Sequence, residues 1–142
     1  MIGKFPAKMD DKNRLIAPAK LRGELGTDFY VTLGVNCGHR CLTVYTAAEW
    51  QQLSENFNQL SISQRAGATS LIFMNAVQCE PDKQFRFSLS QFLMNYAGIQ
   101  KEVMIVGRAG QAEIWAAEEF EAFEAENLTP EKLLASLEAI GL

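Results

Sequence analysis

A chain of 142 residues, 48% hydrophobic and 21% charged, has room for one domain or for two small halves around one core. No apolar run approaches the roughly 18 residues needed to cross a bilayer, and the N-terminus lacks a signal peptide's apolar core, so a cytoplasmic location is expected. The net charge of −4 is unevenly spread, with +4 over residues 1–22 and −7 over residues 113–142. Screening confines each field to about 8–10 Å, so the acidic end does not stop the basic end from meeting phosphate.

In chain order, Ile2 to Met9 reads as a strand and Asp10-Asp11-Lys12-Asn13 as a polar turn, because Asp and Asn bond to nearby backbone. Arg14 to Ala17 is a second strand. Pro18 opens a helix over Ala19–Leu25 that Gly26 ends. Phe29 to Leu33 is a strand by its β-branched and aromatic content. Gly34 to Arg40 reads as a loop and Cys41 to Tyr45 as the next strand. Thr46 with Glu49 predicts a capping box for a helix from Ala47 to about Leu60. A second helix is expected over Ser63–Phe73.

The pattern then restarts. Met74 to Glu80 reads as a strand, Pro81 to Phe85 as a turn and Arg86 to Leu89 as a strand. Ser90 caps a helix that ends at Gly98. Strands are predicted over Lys101–Gly107 and Gln111–Ala116, and helices over Glu118–Glu126 and Pro130–Ile140, the latter capped by Thr129. Asp10 and Asp82, and Arg14 and Arg86, stand 72 residues apart. The unit strand–turn–strand–helix–strand–strand–helix therefore occurs twice. A half of roughly 45 residues is marginal alone, so the copies are expected to share one core. The divisions read as residues 3–47, a helical connector over 48–75, a second copy over 76–119, and C-terminal helices over 120–142.

These paired motifs resemble the MraZ family of bacterial transcriptional regulators, relatives of the AbrB-type swapped-hairpin proteins. The first copy carries Asp10-x-Lys12-Asn13-Arg14-Leu15, Pro18-x-x-Leu21-Arg22 and Cys41-Leu42-x-x-Tyr45. The second carries Asp82-x-x-x-Arg86, Ala97-Gly98-Ile99 and Glu113-Ile114-Trp115. The resemblance implies an α+β, β-rich fold in which two tandem AbrB-like swapped-hairpin repeats interdigitate to form one shared β-barrel core, with peripheral helices. It implies ring-like homo-oligomers that bind short promoter repeats of cell-division and cell-wall genes, associated with the nucleoid. The candidate DNA contacts are Lys8, Lys12, Arg14 and Arg22 in the first copy and Lys83 and Arg86 in the second. No cofactor, metal, membrane or small-molecule substrate is expected.

Two residues depart from the family pattern. Glycine usually precedes the hairpin arginine there; here the positions hold Asn13 and Phe85. Asn enters the left-handed region readily, whereas an aromatic is strained in it. The second copy is therefore expected either to use a different turn or to pack Phe85 against a neighbour, and the first hairpin to be the better DNA contact.

The blander readings stand beside these. Lys12 and Arg14 could be a solvated basic surface or pair with Asp10 and Asp11. Cys37-Gly38-His39-Arg40-Cys41 looks like part of a zinc site short of a ligand, and reads better as a loop leading into a strand with Cys41 buried. Three cysteines are too few for a disulfide framework. No Gly-rich phosphate loop occurs, and a single histidine leaves little room for nucleophilic catalysis. The alternative function is an oligomeric protein-interaction or antitoxin-like module. The apolar stripes Trp50-Leu53-Phe57 and Leu133-Leu134-Leu137 fit core or subunit interface equally.

Overall fold

In the computed structural model, which describes residues 1–142, the first strand does not fold back on the second. β1 (Lys4–Lys8) pairs antiparallel with β7 (Glu102–Arg108), nearly the whole chain away. β2 (Arg14–Ile16) pairs with β6 (Arg86–Ser88). β5 (Val77–Cys79) pairs with β3 (Phe29–Asn36), which also pairs with β4 (His39–Thr46). β8 (Gln111–Ala116) joins β4 to β7. The six-stranded sheet runs β1-β7-β8-β4-β3-β5, beside a two-stranded β2-β6 ribbon. Each half lends its first strand to the other half, so the two hairpins interdigitate within one chain.

The sheet is open. β1 and β5 are its edges, and no ladder joins them, so the hydrogen-bonded barrel expected above does not close. β2 and β6 pair with each other and with neither edge strand. Backbone bonds carry both pairings one residue further: Leu89 N–H to the Asn13 carbonyl and Ala17 N–H to the Phe85 carbonyl, at 2.9 and 2.8 Å, continue the ribbon at its two ends, and Met9 N–H to the Lys101 carbonyl, at 2.8 Å, continues β1–β7.

The core does draw on both halves. Leu15, Leu21, Phe29, Val31 and Leu42 pack with Phe87, Leu93, Val103, Ile105 and Ile114. Phe29 meets Phe87 edge to face, with centroids 5.0 Å apart. Each such fully buried side chain contributes about 1.5–3 kcal/mol. A smaller cluster on the opposite face of the sheet joins Cys41, Val106, Trp115 and Phe120.

The helices follow their caps. A 3₁₀ turn over Ala19–Leu21 leads into α1 (Arg22–Leu25), which ends at Gly26 with φ 70°. Thr46 caps α2 (Ala47–Phe57) by accepting from Glu49 N–H, but the Glu49 carboxylate lies against Gly110, so the expected capping box is only half formed. The complete box belongs to α3 (Ile62–Ala68), between Ser61 and Gln64, two residues before the predicted start. A wider π turn over Thr69–Phe73 follows, and the strand predicted from Met74 begins only at Val77. Ser90 and Gly98 bound α4 (Gln91–Ala97). α5 (Ala117–Asn127) and α6 (Pro130–Ile140) close the chain.

The loop expected over Gly34–Arg40 is instead a tight hairpin. β3 runs on to Asn36 and β4 starts at His39. Only Cys37 and Gly38 turn, with φ 50° and 80°, the two positive values that match the strands' twist. Cys41 is buried, as expected.

The two apolar stripes part company. Trp50 stacks on Tyr30 at 4.7 Å and meets Phe73, which also packs Phe57, so the α2 stripe is half-buried against the chain's own aromatics. On α6, Leu133, Leu134 and Ile140 are exposed.

Candidate nucleic-acid interface

Each hairpin turn is built around one aspartate. Asp10 Oδ1 accepts the N–H groups of Lys12 and Arg14 at 2.9 and 2.8 Å, and its Oδ2 accepts Arg14 Nε–H at 2.7 Å. Asp82 does the same for Gln84 N–H, Arg86 N–H and Arg86 Nε–H, at 2.9, 3.0 and 2.8 Å. The backbone bonds repeat too: Asp10 N–H to the Arg14 carbonyl with Asn13 N–H to the Asp10 carbonyl, and Asp82 N–H to the Arg86 carbonyl with Phe85 N–H to the Asp82 carbonyl. This is the three-residue hairpin loop whose last residue must be left-handed. Asn13 sits there at φ 57° and Phe85 at φ 63°.

Phe85 has therefore not changed the turn. The alternative of a different geometry in the second copy is overturned, and the packing alternative holds: the Arg22 guanidinium lies over the Phe85 ring, 3.9 Å from its centroid. The ground for ranking the first hairpin above the second goes with it.

The turns set the charge state of their aspartates. Burial is the largest single influence on the Asp10 carboxyl and pushes it up, but the donors of Arg14 and Lys12 with the Arg14 charge together outweigh it and hold it below the usual aspartate range. The Arg86 and Gln84 donors hold Asp82 down likewise. Both aspartates are thus anions that grip an arginine at Nε and leave its two Nη groups without a protein partner. Within the ribbon, Leu15 and Phe87 point into the core, so the alternate positions Arg14, Ile16, Arg86 and Ser88 share the outer face. Arg14 stands opposite Ser88 and Arg86 opposite Ile16. The two arginines are thus diagonal neighbours on one face, both lining a cleft that also holds Asp82 and Glu80.

The other predicted contacts scatter around this face. Lys12 and Lys83 are exposed at the turn tips. Arg22 donates Nε–H to the Ala17 carbonyl at 2.9 Å. Lys8 lies on β1, 3.7 Å from Glu102 of the paired strand, so its charge is partly met. The structure adds Lys20, which lines one cleft with Lys4, Lys8 and Arg22. Sequence reasoning placed Asp10 in a turn and named it a possible ion-pair partner but did not foresee that it clamps Arg14 Nε, although the repeated Asp-x-x-x-Arg spacing is the visible trace of that role.

Compared with known proteins, the chain matches the family model of the MraZ protein, described as antitoxin-like, twice in tandem, over residues 2–71 and 72–135. The chain belongs to the MraZ family. The MraZ repeat boundary falls inside the π turn. Relatives named transcriptional regulator MraZ include one from Halothermothrix orenii, 35% identical over 99% of each chain. Another, from Caldicellulosiruptor bescii, is 37% identical over 100% of this chain and 99% of its own. A third, from Symbiobacterium thermophilum, is 42% identical over 88% of this chain and 90% of its own.

No group of three or more His, Cys, Asp or Glu side chains is arranged to hold a metal. His39 lies instead between two carboxylates of α5, with Nδ1 2.6 Å from Glu119 and Nε2 2.7 Å from Glu126. No helix is long and apolar enough to cross a membrane.

Proposed function

We propose that the chain is a sequence-specific DNA-binding transcriptional regulator that reads short repeats in a promoter, that of a bacterial cell-division and cell-wall gene cluster. The observation that carries this reading is the duplicated Asp–Arg turn, which presents Arg14 and Arg86 on one outer face with free Nη groups. A major groove admits a two-stranded ribbon, and an arginine whose fork is pre-aimed suits both phosphate and guanine O6/N7. Lys12, Lys83, Arg22 and Lys8 flank the ribbon as phosphate contacts, which position the protein without reading sequence.

Self-association into a ring would multiply these weak contacts into avidity, and the exposed leucines of α6 give such an assembly an apolar surface. The same surface favours a second reading, an antitoxin-like module that binds another protein. Titration of the chain against a duplex from the region upstream of its own gene, at several salt concentrations, separates the two. Tight binding that weakens steeply with salt supports the regulator; no affinity at low salt refutes it and leaves the protein-binding module.

A further inference from the structure

Arg22 belongs to the first half of the chain, yet it lies against the second hairpin. Its guanidinium covers the ring of Phe85 at 3.9 Å, and its Nε–H is fixed on the Ala17 carbonyl. Ala17 N–H in turn bonds the Phe85 carbonyl at 2.8 Å. No carboxylate pairs with Arg22, unlike Arg14 and Arg86. At the equivalent place in the other half nothing similar exists. Asn13 there faces Gln91, with Nδ2 3.4 Å from its amide oxygen, and the position matching Arg22 is Met94, which is buried.

Phe85 holds this contact at a cost. Its φ of 63° lies in the left-handed region, where a bulky side chain is strained and glycine is free. The residue is also 44% exposed, so burial returns little. The one specific partner the ring has is the Arg22 cation, attracted by the negative face of the π system.

We infer that Phe85 is a positioning residue for DNA binding: it recruits Arg22 to the second hairpin turn and aims the cation at a phosphate of the duplex. This rests on the DNA-binding reading above. The second hairpin then carries Lys83, Arg86 and a borrowed Arg22. Phe85, the residue least suited to the turn by backbone conformation, is kept there by the job of its ring.

The test compares Phe85→Gly, Phe85→Tyr, Arg22→Ala and the Phe85→Gly/Arg22→Ala double variant. Each is titrated against the upstream duplex at several salt concentrations, and each melting temperature is recorded. Phe85→Gly is expected to melt no lower than wild type, because it relieves the strained turn, and yet to bind roughly two- to five-fold more weakly. Its salt slope should fall by up to about one counterion, as for a lost phosphate contact. Phe85→Tyr keeps the ring and should restore binding. In the Arg22→Ala background, Phe85→Gly should change nothing more. Should Phe85→Gly melt lower than wild type, Phe85→Asn takes its place, matching Asn13, with the same expected binding. Wild-type affinity in the ringless variant, or additive losses in the double, overturns this inference while the DNA-binding reading stands. A wild-type chain with no affinity for the duplex overturns both.

Discussion

Leu15 and Phe87 face each other across the β2–β6 ribbon, one from each half of the chain, and both are buried in the common core. Neither half can complete its interior without the other. Leu15→Ala should therefore cost about 2–5 kcal/mol and lower a single unfolding transition for the whole molecule. Denaturant unfolding followed by fluorescence checks this, because Trp50 lies in the first half and Trp115 in the second. Separate transitions for two singly labelled tryptophan variants would show independent halves.

Arg14 and Arg86 have equivalent partners in Asp10 and Asp82, the same Nε clamp and places on the same face. Arg14→Ala and Arg86→Ala are expected to weaken binding to the upstream duplex by comparable factors, each lowering the salt slope by about one. Asp10→Asn and Asp82→Asn keep an oxygen for the turn N–H groups but replace the acceptor of Nε–H with a donor. They should loosen the arginines and weaken binding while leaving the fold intact. A large loss for Arg14→Ala beside none for Arg86→Ala would show that only one turn touches DNA.

His39 clasps α5 to the hairpin end of β4. The bonds to Glu126 and Glu119 raise its imidazole above the ordinary value of 6.5, against a smaller opposing effect of burial. A raised folded value stabilises the folded state most below the ordinary value, and that stabilisation fades as pH rises through the folded value. The melting temperature should therefore fall as pH is raised from about 6 to about 9, and His39→Gln should flatten the slope. An unchanged slope in His39→Gln would place the pH response elsewhere.

The three thiols should react very unequally. Cys37 is exposed in its two-residue turn, whereas Cys41 and Cys79 are buried. Burial and the nearby Glu113 carboxylate push the Cys41 thiol far up, and burial with Asp28 pushes Cys79 up to about 12. Because the thiolate is the nucleophile, brief alkylation of the native protein at neutral pH should label Cys37 alone. Peptide mass spectrometry reads this directly, and labelling of Cys79 at a similar rate would mean that the β3–β5 edge opens readily.

Local chemistry made much of this legible. Asp-x-x-x-Arg, Ser90 with Gly98, and Thr129 before Pro130 marked turns and caps because each acts within a few residues. What escaped was of two kinds: local turns filled by unusual residues, and contacts with distant partners. Phe85 is left-handed because the turn around Asp82 demands it, and no propensity predicts an aromatic there. The Cys37-Gly38 turn hid for the same reason, since cysteine is not a usual residue at positive φ. His39 stands between two cysteines in a stretch that read as a loop, and nothing local points to its partners, which lie some 80 residues on in α5. Barrel closure turned on which distant strands β2 and β6 pair with, and they pair only with each other.

Lys4 pairs with Val106 and Lys8 with Glu102, so the first strand waits for a partner about a hundred residues downstream. A ribosome adding ~5–20 residues per second leaves that strand unpaired for roughly 5–20 s. During this interval the nascent first half exposes both an open edge and the apolar residues meant for the second. Folding can finish only after β7 emerges, and pairings of such high sequence separation are slow to form. A neighbouring nascent chain offers the same β7 in the same register. The exchange that makes one chain whole is thus also the step at which two chains translated side by side can entangle.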